Sequence, residues 1–266
     1  MLLKTSCSFK FDIYEPTTFL LMLRPQSNKK QWIISQEYYT EPKVKITEFS
    51  DIYGNLYQKL VAPVGKLKIK TSSKVLIKDE NNAFDKKFVE IENLPKDVLI
   101  YLLPSRYCQS DSFNQMAASI TQDKDSGYEQ VLAITNWIRE NIAYENFDSD
   151  IQVSAIEVNN RKYGVCRDFA HLAIALCRSI SIPSRIVVGY LHELVPMDLH
   201  AWFEVYIGGG WYRFDATQKE DKNAYVKIAH GRDATDVAVY NQYGPLLFPS
   251  SQKVKVSKLK EKKIKN

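Results

Sequence analysis

The 266-residue chain has no C-x-x-C pair, no D-x-D-x-D-G calcium loop and no uncharged apolar run of about 18 residues, so a thioredoxin-type redox motif, an EF-hand and a membrane-spanning helix are not expected. It has four histidines and four cysteines, Cys7, Cys108, Cys166 and Cys177, and these are scattered. The N-terminus "MLLKTSCSFKFDIYE" places Lys10, Asp12 and Glu15 where a secretory apolar region would continue, so a signal peptide is not expected. Reduced cysteines without an export signal point to the cytoplasm. The body also lacks a charge bias. The last sixteen residues carry seven lysines and one glutamate, net +6 of the chain's +5, which leaves −1 for the other 250. Residues 251–266 therefore read as a lysine-rich, solvated and frayed tail, the alternative being a weak contact with anionic lipid or nucleic acid. Nothing in the body predicts nucleic-acid recognition.

What is present is a soluble globular composition, 45% hydrophobic and 25% charged. From Leu2 to about Leu99, runs such as "FKFDIYE", "QWIISQEYY", "GKLKIKTSSKVLIK" and "KKFVEIENL" alternate apolar and polar residues between Pro, Gly, Asn and Ser. Six or seven such strands predict an all-β antiparallel sandwich-like domain over residues 1–104, with no titratable cluster. The rhythm then turns helical. Residues 123–142 predict an amphipathic helix capped by Asp125 or Ser126, and Ser154 to Asn159 a short one. Val165 to Ile180 predicts a helix apolar on nearly every side, stopped before Pro183. Three strands follow: Arg185 to Leu191, Leu199 to Ile207 and Trp211 to Thr217. The second unit, residues 105–250, is thus a central helix on an antiparallel sheet, and the chain as a whole is α+β.

Cys166 opens the central helix behind Gly164, where first-turn N–H groups favour an ionised thiol and could hold a developing oxyanion. A thiol nucleophile needs a base, and the base an orienting group. His200 and Asp215 supply these on two successive strands if the turn between them holds an even number of residues. With Gly208 and Gly209 as a two-residue turn, Asp215 falls opposite Trp202 and diagonal to His200, a separation of about 7 to 8 Å that the two side chains span. Cys7, Cys108 and Cys177 read as core. His171, five residues beyond Cys166 and so about 140° round the helix, reads as packed or capping. Arg167 and Asp168 read as an ion-paired flank, and Trp202 and Tyr163 as substrate contacts. A zinc site from Cys166, His200 and Asp215 has suitable ligand types but no short local spacing.

"YGVCRDFAHLAIALCRSISIPSRIVVGYL" followed by "HAWFEVYIGGGWYRFDAT" resembles the bacterial transglutaminase-like family, whose core is similar to the papain-like cysteine protease fold. All three motif blocks, around Cys166, His200 and Asp215, are present. The resemblance implies Cys166 as nucleophile, His200 as general base and Asp215 as orienting acid, with no dedicated cofactor. Trp137, Tyr144 and Tyr163 are aromatic candidates for a side-chain oxyanion donor. The expected reaction is acyl transfer on a peptide or carboxamide of a protein or peptide substrate through a thioester, with hydrolysis favoured over crosslinking. The alternative is a non-catalytic protein-binding module on the same fold.

Overall fold

The structure, a computed structural model, describes residues 1–78, 82–145, 152–219 and 224–259. In order along the chain come β1 (Leu2–Ile13), β2 (Thr17–Leu21), β3 (Gln31–Glu41), β4 (Ile46–Ser50), β5 (Leu56–Ala62), β6 (Gly65–Ile77), α1 (Lys96–Leu99), α2 (Asn114–Thr121), α3 (Tyr128–Asn141), β7 (Ala143–Tyr144), α4 (Ala155–Arg161), β8 (Tyr163–Gly164), α5 (Cys166–Ser179), β9 (Ser184–Leu191), β10 (Leu199–Ile207), β11 (Gly210–Phe214), β12 (Tyr225–Gly231), β13 (Tyr240–Tyr243) and β14 (Ser251–Lys258). Helices and strands thus share the chain in an α+β arrangement.

The first strands follow their period-two pattern. In β1, Leu3, Thr5, Cys7, Phe9, Phe11 and Ile13 are buried, while Lys4 and Lys10 point outward. Two four-stranded antiparallel sheets result, ordered β14-β1-β6-β3 and β13-β2-β5-β4. Phe9 and Phe11 of one sheet meet Phe19 and Tyr240 of the other, with centroids 5.0 to 5.8 Å apart for the inter-sheet pairs. Each sheet takes one strand from the far end of the chain. Ser251–Lys258 is therefore an edge strand in register with β1, from Leu3 opposite Lys258 to Lys10 opposite Ser251, and not a frayed tail. Val254 turns into the core while Lys253 and Lys255 stay in water, so the lysines decorate an edge, where their charge discourages further pairing. Residues 260–266 of the expected tail lie outside the described residues.

Two further expectations are corrected. The stretch 86–94 is not a strand: the Lys86 and Lys87 carbonyls accept from Tyr128 and Gly208 instead of from a neighbouring strand, and a short 3₁₀ turn follows at Ile91–Asn93. The helix expected from Asp123 starts at Tyr128, with Gly127 as N-cap at φ +91°, and Gln130 accepts the Gly127 amide at 3.2 Å. A Cβ on Gly127 would stand 2.5 Å from the Lys86 carbonyl oxygen, so close passage of the 86–94 segment decides the cap.

The last sheet, ordered β11-β10-β9-β12, is antiparallel throughout. Helix α5 packs against β10 and β9, burying Leu172, Ala173, Ile174, Ala175 and Leu176 against Ala201, Phe203 and Val205. Arg178 is buried near its end, and among the described residues no carboxylate forms an ion pair with it. Its guanidinium donates to the carbonyls of Leu103, Ser184 and Arg232 at 2.7 to 3.0 Å, tying the helix to the segment that links the two β regions. The sandwich meets this sheet through two amides: Gln31 pairs with both backbone groups of Lys227, and Asn55 with both of His230. The edge strand β12 is thereby covered.

Candidate active site

Cys166 is the first residue of α5. Val165 ahead of it is extended, and the Asp168 carboxylate accepts the Val165 amide at 3.1 Å, an N-terminal cap. Asp168 is buried and ion-paired with Arg161 at 2.9 Å and Arg167 at 3.1 Å, so it is a structural support beneath the thiol. A Cβ on Gly164 would stand 2.8 Å from the Asp168 Cβ; glycine is required there for room, not for an unusual dihedral.

The strands carry out the register condition. Gly208 and Gly209, with φ +55° and +82°, form a two-residue turn, and the pairs Ile207 with Gly210, Tyr206 with Trp211, Glu204 with Arg213 and Phe203 with Phe214 follow. Carried one step further, this register puts Asp215 across from Trp202. The His200 Nε2 lies 2.6 Å from Asp215 Oδ2 with both side chains buried. The Cys166 thiol also acts on this imidazole, whose Nε2 is taken by Asp215. Burial opposes the charged imidazole, yet the hydrogen bonds and charges of Asp215 and Cys166 outweigh it and push His200 up to about 10. Asp215 moves the other way: burial would raise it, but the bonds from His200 and Thr217 hold it low.

Asp215 is held by residues that the sequence did not point out. Thr217 donates its amide and hydroxyl to Oδ1 at 2.9 and 2.7 Å, and the Tyr225 hydroxyl donates to Oδ2 at 2.9 Å. Arg139 of α3 donates to the carbonyls of Asp215 and Gln218 at 3.2 and 2.7 Å. The D-x-T spacing was a readable hint of the first contact, a side-chain turn. Tyr225 and Arg139 carried no local signal.

Of the three aromatic candidates near the thiol, Tyr144 reaches it. Strands β7 and β8 pair in parallel, Tyr144 with Gly164, which brings the phenol against Cys166; its hydroxyl receives the Cys166 amide and lies by the sulfur. Burial, then the adjacent sulfur, push this phenol upward, so it stays protonated. Trp137 instead packs under Lys162, and Tyr163 under the Arg161 guanidinium at 4.5 Å. Neither Tyr163 nor Trp202 lines the cleft around Cys166: Trp202 is buried with Val187, Leu191 and Tyr225 and faces a different cavity. His171 packs in the core, its ring parallel to Tyr107 at 5.2 Å, its Nε2 accepting the Ala234 amide and its Nδ1 at the Val153 carbonyl. Burial holds it down at about 4, hence neutral. Among the described residues, no three His, Cys, Asp or Glu side chains gather as a metal site, and no helix is long and apolar enough to cross a membrane.

The cleft holding Cys166 and His200 encloses about 590 Å³. One wall comes from α5 and β9–β10 (Arg167, Ile186, Val188, Ala201), another from the loop around Leu194 to Asp198. The third belongs to the sandwich: Phe9, Tyr240 and Gln252, the last donating to Asp198. Walls of mixed polar and apolar side chains, with a thiol, an imidazole and backbone N–H groups at one end, suit an extended chain that presents a carbonyl.

Residues 114–216, which include Cys166, His200 and Asp215, match the sequence profile of the transglutaminase-like superfamily. A protein of Mycobacterium leprae with no assigned function is 28% identical over 233 residues, spanning 81% of this chain and 82% of its own. The crystal structure of a candidate cysteine protease from Cytophaga hutchinsonii superposes with a TM-score of 0.91 at 35% identity, over 98% of this chain and 92% of that one. Both matches run well past the catalytic-type core and into the β-rich part. The chain therefore belongs to the transglutaminase-like superfamily.

Proposed function

We propose that the protein is a cysteine-dependent amide hydrolase of the protease or amidase kind, with Cys166 as nucleophile, His200 as acid and base, and Asp215 as the group that orients and charges the imidazole. The observation that carries this reading is the buried 2.6 Å contact between His200 and Asp215, with the Cys166 thiol in the same cleft and acting on the same imidazole. In the first step Sγ bonds to the carbonyl carbon, and the carbonyl electron pair moves onto oxygen. The Cys166 N–H and the Tyr144 hydroxyl, side by side in the apo cleft, are the donors for that oxyanion. His200, charged, gives its proton to the departing amine as the C–N bond breaks, which leaves a thioester and a neutral imidazole. Water then loses a proton to His200 as its oxygen bonds to the thioester carbon, the C–S bond breaks, and the carboxylic acid leaves with the thiolate and the charged imidazole restored.

The cysteine-protease description of the Cytophaga relative supports hydrolysis, and the four unpaired cysteines support a reducing, cytoplasmic setting. The test is release of new amines from a quenched fluorescent peptide library, with a dansylated primary amine as competing acceptor. Wild-type protein cleaves peptides, and Cys166→Ala, still folded by circular dichroism, does not. Incorporation of the amine in preference to cleavage would reassign the reaction to crosslinking. Binding of peptides without turnover in the wild type would reduce the chain to a recognition module.

A further inference from the structure

Behind the sheet, on the side away from α5, a second cavity of about 600 Å³ lies between strands β9 to β12 and the sandwich loop before β3. Its mouth is formed by Asn28, Lys29 and Lys30, all exposed. Among the described residues, five cationic side chains and two carboxylates, Asp97 and Glu204, line it.

Two of these cations meet at one carboxylate. Arg185 and Lys227 share a single carboxylate oxygen, Glu204 Oε2, at 2.6 and 3.2 Å. One buried carboxylate thus serves two half-buried cations. Burial, then the Arg185 charge, push Lys227 down to about 7, and burial together with the Lys227 and Arg185 charges keeps His230 neutral. At the rim Lys30 is held over the Tyr212 ring, its Nζ donating to the Trp211 carbonyl at 2.9 Å. The walls are preorganised, because Gln31 and Asn55 fix β12 to the sandwich through paired amide bonds. A rigid hollow of this volume, in which one carboxylate oxygen meets both Arg185 and Lys227, is suited to a ligand that brings further negative charge.

We propose that this rear cavity is a second binding site, for a small multiply charged oxyanion carrying phosphate or carboxylate groups, held by Arg185, Lys227 and Lys30. Such a ligand accepts from the guanidinium and ammonium donors and neutralises the pair that Glu204 leaves half-compensated. Its position also connects it to the front of the sheet. Trp202 lies against His200 with centroids 6.1 Å apart, and Arg213 stacks at 4.1 Å on Tyr225, whose hydroxyl holds Asp215. The occupant therefore sits directly behind the His200–Asp215 pair.

The test is titration calorimetry of the full chain with inorganic phosphate and, separately, with citrate, at fixed ionic strength balanced with chloride, with tryptophan fluorescence as a second readout because Trp202 and Trp211 line the cavity. The expected result is one saturable site with a dissociation constant of about 1 mM or tighter for at least one anion. The tighter of the two identifies the phosphate or the carboxylate class. Lys227→Met is expected to weaken binding about tenfold or more, and Lys30→Glu at the exposed rim several-fold. Absence of saturable binding by both anions overturns the proposal. So does wild-type affinity in Lys30→Glu, which alone decides the matter if Lys227→Met fails to fold.

Discussion

Replacing Asp215 by Asn tests the electrostatics of the site without requiring a known substrate. His200 stands at about 10 against an ordinary value of 6.5, a preference for the imidazolium of roughly 5 kcal/mol at about 1.4 kcal/mol per pKa unit. Asp215 and Cys166 share that preference, and burial works against both. Loss of one opposite charge within hydrogen-bonding distance lowers a pKa by about 1–3 units, so His200 is expected to fall to between about 7 and 9. The carbonyl oxygen of the new amide can still accept from Thr217, but its NH₂ now faces Nε2. That reverses the donor and forces the imidazole proton onto Nδ1. His200 is followed by the NMR titration of its Cε1–H, assigned with a His200→Gln variant. Turnover is expected to fall by about a hundredfold or more, since both the charge and the tautomer of the acid–base group change. The stability effect has a definite sign. A histidine raised on folding contributes fully below about 6.5, and that contribution is lost as pH rises through its folded value of about 10. Asp215→Asn is therefore less stable than wild type at pH 6, by roughly 1–4 kcal/mol in urea, and the gap closes towards pH 10. A His200 titration that does not move, or a gap that widens with pH, would refute the reasoning.

Other outcomes follow from particular contacts. One glycine inserted between Gly208 and Gly209 should cost more activity than two, because only the even loop returns Asp215 to the His200 face; equal losses in a peptide-cleavage assay would sink the register argument. His171 is buried neutral at about 4 and must take up a proton on acid unfolding, so wild-type stability should drop by roughly 3 kcal/mol between pH 6.5 and 4 on its account. A His171→Gln variant, less stable at neutral pH, should show a correspondingly flatter profile in urea titrations. Gly189→Ala would set a Cβ 2.1 Å from the Val226 carbonyl oxygen and 2.9 Å from the Trp202 ring; thermal denaturation should show a loss of about 2 kcal/mol or more, and unchanged stability would mean that β9 and β12 separate easily.

The opening of α5 shows how much was legible. Helix α5 shows itself in an apolar surface that runs round the whole circumference, and β10 in its Leu199–Ile207 run, since burial on every side leaves no polar face to confuse the period. The parity of the glycine turn is likewise local information: two residues with positive φ settle which side chains share a face. The 86–94 segment misleads because alternation records one covered face whatever covers it, and here Phe88 and Val89 are half-buried while the backbone bonds to Tyr128 and Gly208, without a strand partner. At the C-terminus the seven lysines mask the alternation of Val254 and Val256, although the edge of a sheet is where lysines and alternation coexist.

By itself, then, the sequence determined the six strands up to Ile77, the strands β9 to β11, the central helix and the phase that lets His200 and Asp215 face each other, because each depends on the spacing of neighbours along the chain. Only the tertiary structure decided that Tyr144 stands at the thiol while Trp202 turns to the rear. It also decided that Tyr225 completes the hold on Asp215, and that the last strand of the chain closes the first sheet and supplies Gln252 to the cleft wall. Those contacts join residues up to about 250 positions apart, and no local periodicity encodes which distant surface a side chain will meet.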